Sequence, residues 1–206
     1  MQTETIQTGN VGENCFLVTA GNTLCIIDPG ADADLIIRRI ENRKTAFAHI
    51  EVLFTHAHAD HIGAAGALKK RFPEAVFRLD SKDKAIYLSE DNAFPPYIPL
   101  AENLPATVEY QENSVYSILP CPGHTPGGVS LLFDDNGVQH LYSGDTLFAG
   151  SIGRTDFEGG SLEELSKTLR MLTEKLDDSV IVHPGHGPDT TIGREKISNV
   201  YLKHLI

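Results

Sequence analysis

The sequence predicts an α/β fold made of two related β/α halves, with helices covering two packed sheets. Three observations point there. Short apolar runs of strand length alternate with amphipathic helical patterns along the whole chain. An Asn-Gly pair in Asp134-Asp-Asn-Gly137 separates two strand-like runs, a hairpin signature. The order strand, Asp, helix, strand, His occurs twice, from Ile26-Ile27-Asp28 to His56 and from Leu141-Tyr-Ser-Gly-Asp145 to His186.

The elements follow in order. Continuous apolar runs at 24–27, 52–54 and 180–182 suit strands buried on both faces. Runs at 130–133 and 138–142 flank the Asn-Gly turn and form its hairpin. Helices are expected at about 32–43, 62–71, 161–175 and 193–203. In the third, Ser161 and Glu164 make a capping-box pattern, and Leu165, Leu169, Leu172 and Leu176 share one face. Pro73 suits the end of the second. No low-complexity tract, charge block or Gly/Ser linker interrupts the 206 residues, so residues 1–206 read as one domain.

Composition narrows the functional classes. Lys and Arg number 17 against 28 Asp and Glu, a formal charge of −11, the reverse of what a general nucleic-acid or anionic-membrane binder carries. No apolar run reaches the roughly 18–20 residues of a membrane span, and the polar N-terminus shows no export signal. Three cysteines, Cys15, Cys25 and Cys121, are too few for a disulfide framework and suit a reducing compartment. These features predict a soluble, cytoplasmic protein.

The chemistry concentrates in Thr55-His-Ala-His-Ala-Asp-His-Ile62, where His56, His58, Asp60 and His61 follow directly on an apolar strand. Imidazole suits zinc, iron and related ions, and a carboxylate adds a charge-neutralising oxygen. In an extended segment His56 and His58 point to one side and can reach one ion, while Asp60 and His61 enter the following turn and helix and can aim at a second position. Three further candidates share a context of strand end and glycine neighbour: His124 in Pro122-Gly-His-Thr-Pro-Gly127, Asp145, and His186 in His183-Pro-Gly-His-Gly-Pro188. Asp28 reads either as an acceptor for a ligand imidazole or as a turn-stabilising Asx residue. His49, His140, His183, His204 and Cys121 read as structural.

The pattern His-x-His-x-Asp-His, followed by Gly-His, Gly-Asp and Gly-His loops, resembles the metallo-β-lactamase-fold superfamily, and within it the short-form relatives of glyoxalase II, the hydroxyacylglutathione hydrolases. The similarity runs from Gly12-Glu-Asn-Cys-Phe-Leu and Ile27-Asp-Pro-Gly to Thr190-Thr-Ile-Gly. It implies an αββα sandwich of two mixed sheets flanked by helices, with a metal cleft along one edge. It also implies a ligand set: His56, His58 and His124 for one ion, Asp60, His61 and His186 for a second, and Asp145 bridging. The implied cofactors are two divalent ions, zinc first, with iron or manganese also compatible. The implied reaction is attack of a metal-bridging hydroxide, oriented by Asp60, on a thioester such as a 2-hydroxyacyl-glutathione.

Two loops shape the expected substrate side. Arg154 in Gly150-Ser-Ile-Gly-Arg-Thr-Asp-Phe157 would contact an anionic substrate group or pair with Asp156, and Phe94-Pro-Pro-Tyr-Ile-Pro-Leu100 would line the cleft or act as a cover. Gly153-Arg-Thr-Asp-Phe157 also resembles persulfide dioxygenases of the same fold, mononuclear iron enzymes that would use only His56, His58 and Asp145. A third reading, a non-catalytic metal-binding module, leaves the full seven-ligand set without a purpose. Only 20 residues follow His186, so the C-terminal helical domain of full-length glyoxalase II is not expected here.

Overall fold

A computed structural model describes residues 1–205. The chain divides into two compact units, Met1–Tyr110 and Gln111–Ile206.

The first unit holds a five-stranded mixed sheet in the order β1-β2-β3-β4-β5. Strands β1 (Gln2–Thr8), β2 (Glu13–Ala20) and β3 (Thr23–Ile27) run antiparallel. β3, β4 (His49–Leu53) and β5 (Val76–Arg78) run parallel. Helix α1 (Ala33–Glu41) makes the crossover from β3 to β4, and α2 (Ala59–Ile62) and α3 (Ala65–Arg71) lie between β4 and β5. A short helix, α4 (Lys84–Tyr87), follows. The expected second helix therefore begins earlier, at Ala59, and breaks at Gly63. An added Cβ on Gly63 would lie 2.2 Å from the Gly30 carbonyl, so the turn needs glycine to let the two backbones meet. Ile26, Val52, Phe54, Ile36, Ile62 and Leu68 are fully buried in this unit's core. β2 is buried along almost its entire length on both faces, which suits its central apolar run Cys15-Phe-Leu-Val18.

The second unit repeats the scheme with the order β12-β11-β8-β7-β6. β6 (Ser117–Pro120), β7 (Val129–Asp135) and β8 (Val138–Gly144) are antiparallel. β8 pairs in parallel with β11 (Ile181–Pro184), which pairs antiparallel with β12 (Thr190–Thr191). β9 (Leu147–Phe148) and β10 (Ser151–Ile152) form a small ribbon. The hairpin at Asn136-Gly137 forms as expected, with both residues at positive φ.

Helix α5 (Leu162–Lys175) makes the β8–β11 crossover. Ser161 Oγ caps it by accepting from the Glu164 amide, and Leu165, Leu169 and Leu172 are buried beneath it. The last expected helix is two, α6 (Ile192–Ser198) and α7 (Val200–Leu205), because Asn199 takes an extended backbone between them.

The internal echo is thus structural. In each unit a parallel pair, β3/β4 or β8/β11, is joined by one helix, α1 or α5. In each, the first strand ends at an aspartate, Asp28 or Asp145, and the second opens onto a histidine loop. Carboxyl ends of parallel strands are where α/β folds place ligands, because the loops there are free of the sheet's hydrogen-bonding demands.

Candidate metal centre

In the first unit, β4 delivers the chain to Thr55, and the backbone stays extended to His58, which precedes α2 at φ −64°, ψ 147°. The His56 and His58 rings meet edge to face at 4.9 Å between centroids, and His56 and His61 lie 4.1 Å apart. His61 Nε2 stands 3.8 Å from Asp60 Oδ2. The four expected ligands of this stretch come together.

Asp28 organises them. Its Oδ1 accepts from the Thr55 amide at 2.7 Å, and its Oδ2 accepts from Thr55 Oγ1 at 2.5 Å and from His61 Nδ1 at 3.1 Å. Because the Thr55 hydroxyl gives its proton to Asp28, its lone pair receives His56 Nδ1–H at 3.1 Å. Both imidazoles then carry their proton on Nδ1 and their lone pair on Nε2, the form in which histidine binds a metal. Asp28, His56 and His61 offer atoms within 4.8 Å of one another, yet the Asp28 oxygens are already engaged. Asp28 is an orienting carboxylate, so the acceptor reading holds.

Residues that sequence reasoning did not single out brace this loop. Asp83 Oδ2 accepts from the Ala57 amide at 3.1 Å. Asn92 accepts from the Ala59 amide and donates to the Ala57 carbonyl. The Tyr110 hydroxyl donates to the Phe54 carbonyl. Glu13, 1% exposed, accepts from Thr8 Oγ1 at 2.7 Å, and burial raises its carboxyl well above the usual range, with His61 drawing it partly back. Nothing in the spacing of these residues marks them.

In the second unit, Gly123 sets the His124 loop. It sits at φ +138°, and a Cβ there would lie 2.4 Å from the Leu165 backbone of α5. His124 Nδ1 donates to the Arg154 carbonyl at 2.7 Å, which again leaves the lone pair on Nε2. Asp145 follows β8 and His186 follows β11, tied by the Gly185 amide donating to the Gly144 carbonyl at 2.9 Å. The two Asp145 oxygens face different imidazoles: Oδ2 lies 3.6 Å from His124 Nε2 and Oδ1 lies 3.8 Å from His186 Nε2. These gaps exceed a hydrogen bond but suit donors arranged around cations. On donor chemistry the residues fit divalent ions: His56, His61 and His124 keep a lone pair on Nε2, and carboxylates offset the charge.

The remaining candidates make contacts of their own. The Arg154 guanidinium is committed to Asp156 through two 2.6 Å contacts and stacks 4.0 Å from the Phe157 ring. Cys121 is fully buried and its thiol is pushed up to about 12 by desolvation, so it carries no thiolate near neutrality. His183 stacks parallel on His140, with His140 Nδ1 and His183 Nε2 2.9 Å apart and Asp189 at 3.0 Å from His183 Nδ1. His49 is exposed on β4 and His204 lies in α7. The 94–100 loop is largely exposed, with Phe94 and Tyr97 stacked on each other. No helix among the described residues is long and apolar enough to cross a membrane.

Residues 8–186 match the metallo-beta-lactamase superfamily model. A hydroxyacylglutathione hydrolase, GloC, from Haemophilus influenzae is 36% identical, with 98% of each chain covered. Among solved structures, TTHA1623 in a di-iron-bound form is 32% identical at a TM-score of 0.85, covering 97% of this chain and all of that one. ETHE1 from Myxococcus xanthus is 26% identical at a TM-score of 0.70, covering 99% of this chain and 85% of that one. The α/β sandwich class with mixed sheets flanked by helices is shared with these structures, and the clustered His and Asp side chains are those of a metal-binding hydrolase fold. This chain belongs to the metallo-beta-lactamase superfamily.

Proposed function

We propose that the protein is a dinuclear metal-dependent hydrolase that cleaves a thioester, of the 2-hydroxyacyl-glutathione kind, in the cytoplasm. One observation carries the reading: the two oxygens of Asp145 are each turned to a different imidazole, His124 and His186, as a carboxylate shared by two ions requires. In this reading His56, His58 and His124 hold one ion, Asp60, His61 and His186 hold the other, and Asp145 bridges. Five neutral imidazoles and two carboxylates leave such a centre two charges positive before a water or substrate oxygen joins it. The di-iron-bound relative and the GloC relative support the reading, and zinc, iron and manganese all suit the donors.

When bound, the two ions would lower the pKa of water to about 7 and polarise the thioester carbonyl. The chain's own groups do the rest. Asp28, through Thr55 and directly, holds His56 and His61 in the required tautomer, and the Arg154 carbonyl does so for His124. Asp60, with 16% of its side chain exposed, remains accessible to an incoming water and can orient it by accepting a hydrogen bond. In this reading Arg154 pairs with Asp156 and not with substrate.

The competing reading is a mononuclear iron persulfide dioxygenase using His56, His58 and Asp145. Purified, metal-reconstituted protein is assayed for thioester hydrolysis and for oxygen-dependent persulfide consumption, with metal content measured on the same sample. Two ions per chain with thioester turnover are expected, and His186→Ala should lose the second ion while His124→Ala loses the first. One ion with persulfide consumption would replace this proposal with the dioxygenase.

A further inference from the structure

Within the first unit lies a cavity of about 400 Å³, bounded by the 8–11 turn, the 30–33 loop, the start of α2 and the 97–101 segment. That volume is in the range of small-molecule sites. Asp60 stands in its wall, so the cavity adjoins the residue placed for the reacting water. We propose that this cavity is the subsite for the acyl group of the substrate and that it selects uncharged, largely apolar acyl chains; its use in turnover rests on the hydrolase reading above.

The lining carries the inference. One wall is Tyr97, Ile98, Pro99 and Leu100, and Val11 closes the turn side. Gly30 and Gly63 also line it, and a Cβ on Gly30 would lie 1.6 Å from the Asp60 carbonyl, so these two backbones pass in close contact beside the cavity. The exposed apolar surface of Tyr97 and Leu100 on its rim is costly in water and gains from a hydrocarbon neighbour.

Charge decides which arm of the substrate enters. No Lys, Arg or His is among the described residues that line the cavity, whereas Asp32 and Asp60 both do. Asp32 is fixed there, its Oδ2 accepting from the Gly9 amide at 2.9 Å. Even with Asp60 neutralised by an ion, the exposed Asp32 leaves the lining with a negative formal charge. A glutathione arm, with two carboxylates against one ammonium, is net negative, and its carboxylates find no cation to pair with in this space. An alkyl or hydroxyalkyl acyl chain meets no such penalty. The Asn10 side-chain amide donates to the Tyr97 carbonyl at 3.4 Å, linking the turn to that wall.

The test uses the metal-loaded protein with two readouts. Hexanamide and butanamide are titrated while backbone amide shifts are followed by NMR, and hydrolysis is measured for butyryl, hexanoyl and adipoyl thioesters of one thiol. Two extra buried methylenes are expected to tighten hexanamide over butanamide by roughly tenfold, with shifts centred on Val11, Ala33 and Leu100. Hexanoyl should exceed butyryl in kcat/KM by a similar factor, and adipoyl, of equal length but carrying a carboxylate, should fall at least tenfold below hexanoyl. Leu100→Lys should narrow that last gap. Hexanamide shifts located elsewhere or absent, or adipoyl equal to hexanoyl, would overturn the subsite. Hexanamide binding at the cavity with no hydrolysis of any thioester would keep the subsite and discard the thioesterase reading.

Discussion

Asp28 Oδ2 accepts a hydrogen bond from His61 Nδ1 at 3.1 Å, and the same oxygen takes the Thr55 hydroxyl proton at 2.5 Å. One buried carboxylate therefore sets the tautomer of two imidazoles, one directly and one through a hydroxyl relay. In the proposed ligand assignment those imidazoles serve different ions, so Asp28 couples the two halves of the centre.

Asp28→Asn should weaken binding of both ions. Asparagine retains a carbonyl for the Thr55 amide but presents an NH₂ where two donors now converge. Loss of such supporting partners typically costs 10–100-fold in metal affinity. Competition with a chromogenic chelator measures it, and unchanged affinity for both ions would show that Asp28 serves only the turn.

Gly30→Ala should destabilise the fold by about 1–3 kcal/mol, the cost of forcing an extra methyl into packed atoms. The clash is with the Asp60 carbonyl at 1.6 Å, so the backbone at Asp60 must move and metal retention should fall as well. Gly12→Ala is the comparison. It meets nothing within 4 Å and strains only its own φ of +66°, so metal retention should survive. Urea unfolding with and without metal separates the two effects.

His140 gives a pH dependence away from the metal centre. Its pKa is held below the ordinary histidine value, first by partial burial and then by the neighbouring His183, with Asp135 and Asp189 partly opposing. The folded state thus favours neutral His140, while the unfolded chain takes up the proton near pH 6.5. The neutral form's stability is fully present above that pH and is lost as pH falls through 6.5 toward the lower folded value. His140→Gln should flatten the slope of Tm against pH in this window at saturating metal. An unchanged slope would assign the acid sensitivity to other groups.

Arg154→Ala should leave metal stoichiometry and affinity intact. The residue contributes its backbone carbonyl to His124 Nδ1, and that carbonyl survives the substitution. Its guanidinium pairs with Asp156 at an exposed position, where such pairs contribute little. A large fall in kcat/KM with unchanged metal content would return Arg154 to substrate contact.

Much of this was legible in the sequence because the signals were local. Ser161 capped α5 as the spacing required, although the Glu164 side chain pairs with Lys167 and the Ser161 amide donates to the Gly123 carbonyl. Asn136-Gly137 made its hairpin, and the repeated strand, Asp, helix, strand, His order became two sheets with matching parallel pairs. The His56 to His61 cluster was visible because its members are adjacent in the chain. The supporting residues were not visible. Asp83 and Asn92 reach the Ala57 and Ala59 amides across 26 and 33 residues, and Glu13 comes to lie beside Asp28 and His61 only through the fold. The breaks at Gly63 and Asn199 were missed for a related reason. Both follow from close tertiary approach or backbone conformation, which apolar periodicity does not record.

The most direct measurement is hydrolysis of a lactoyl-glutathione thioester as metal-free protein is titrated with zinc or iron, with bound metal counted at each point. A dinuclear hydrolase should show activity that tracks the second equivalent and reaches a plateau at two ions per chain. Full thioester activity at one equivalent, or none at two, would contradict it.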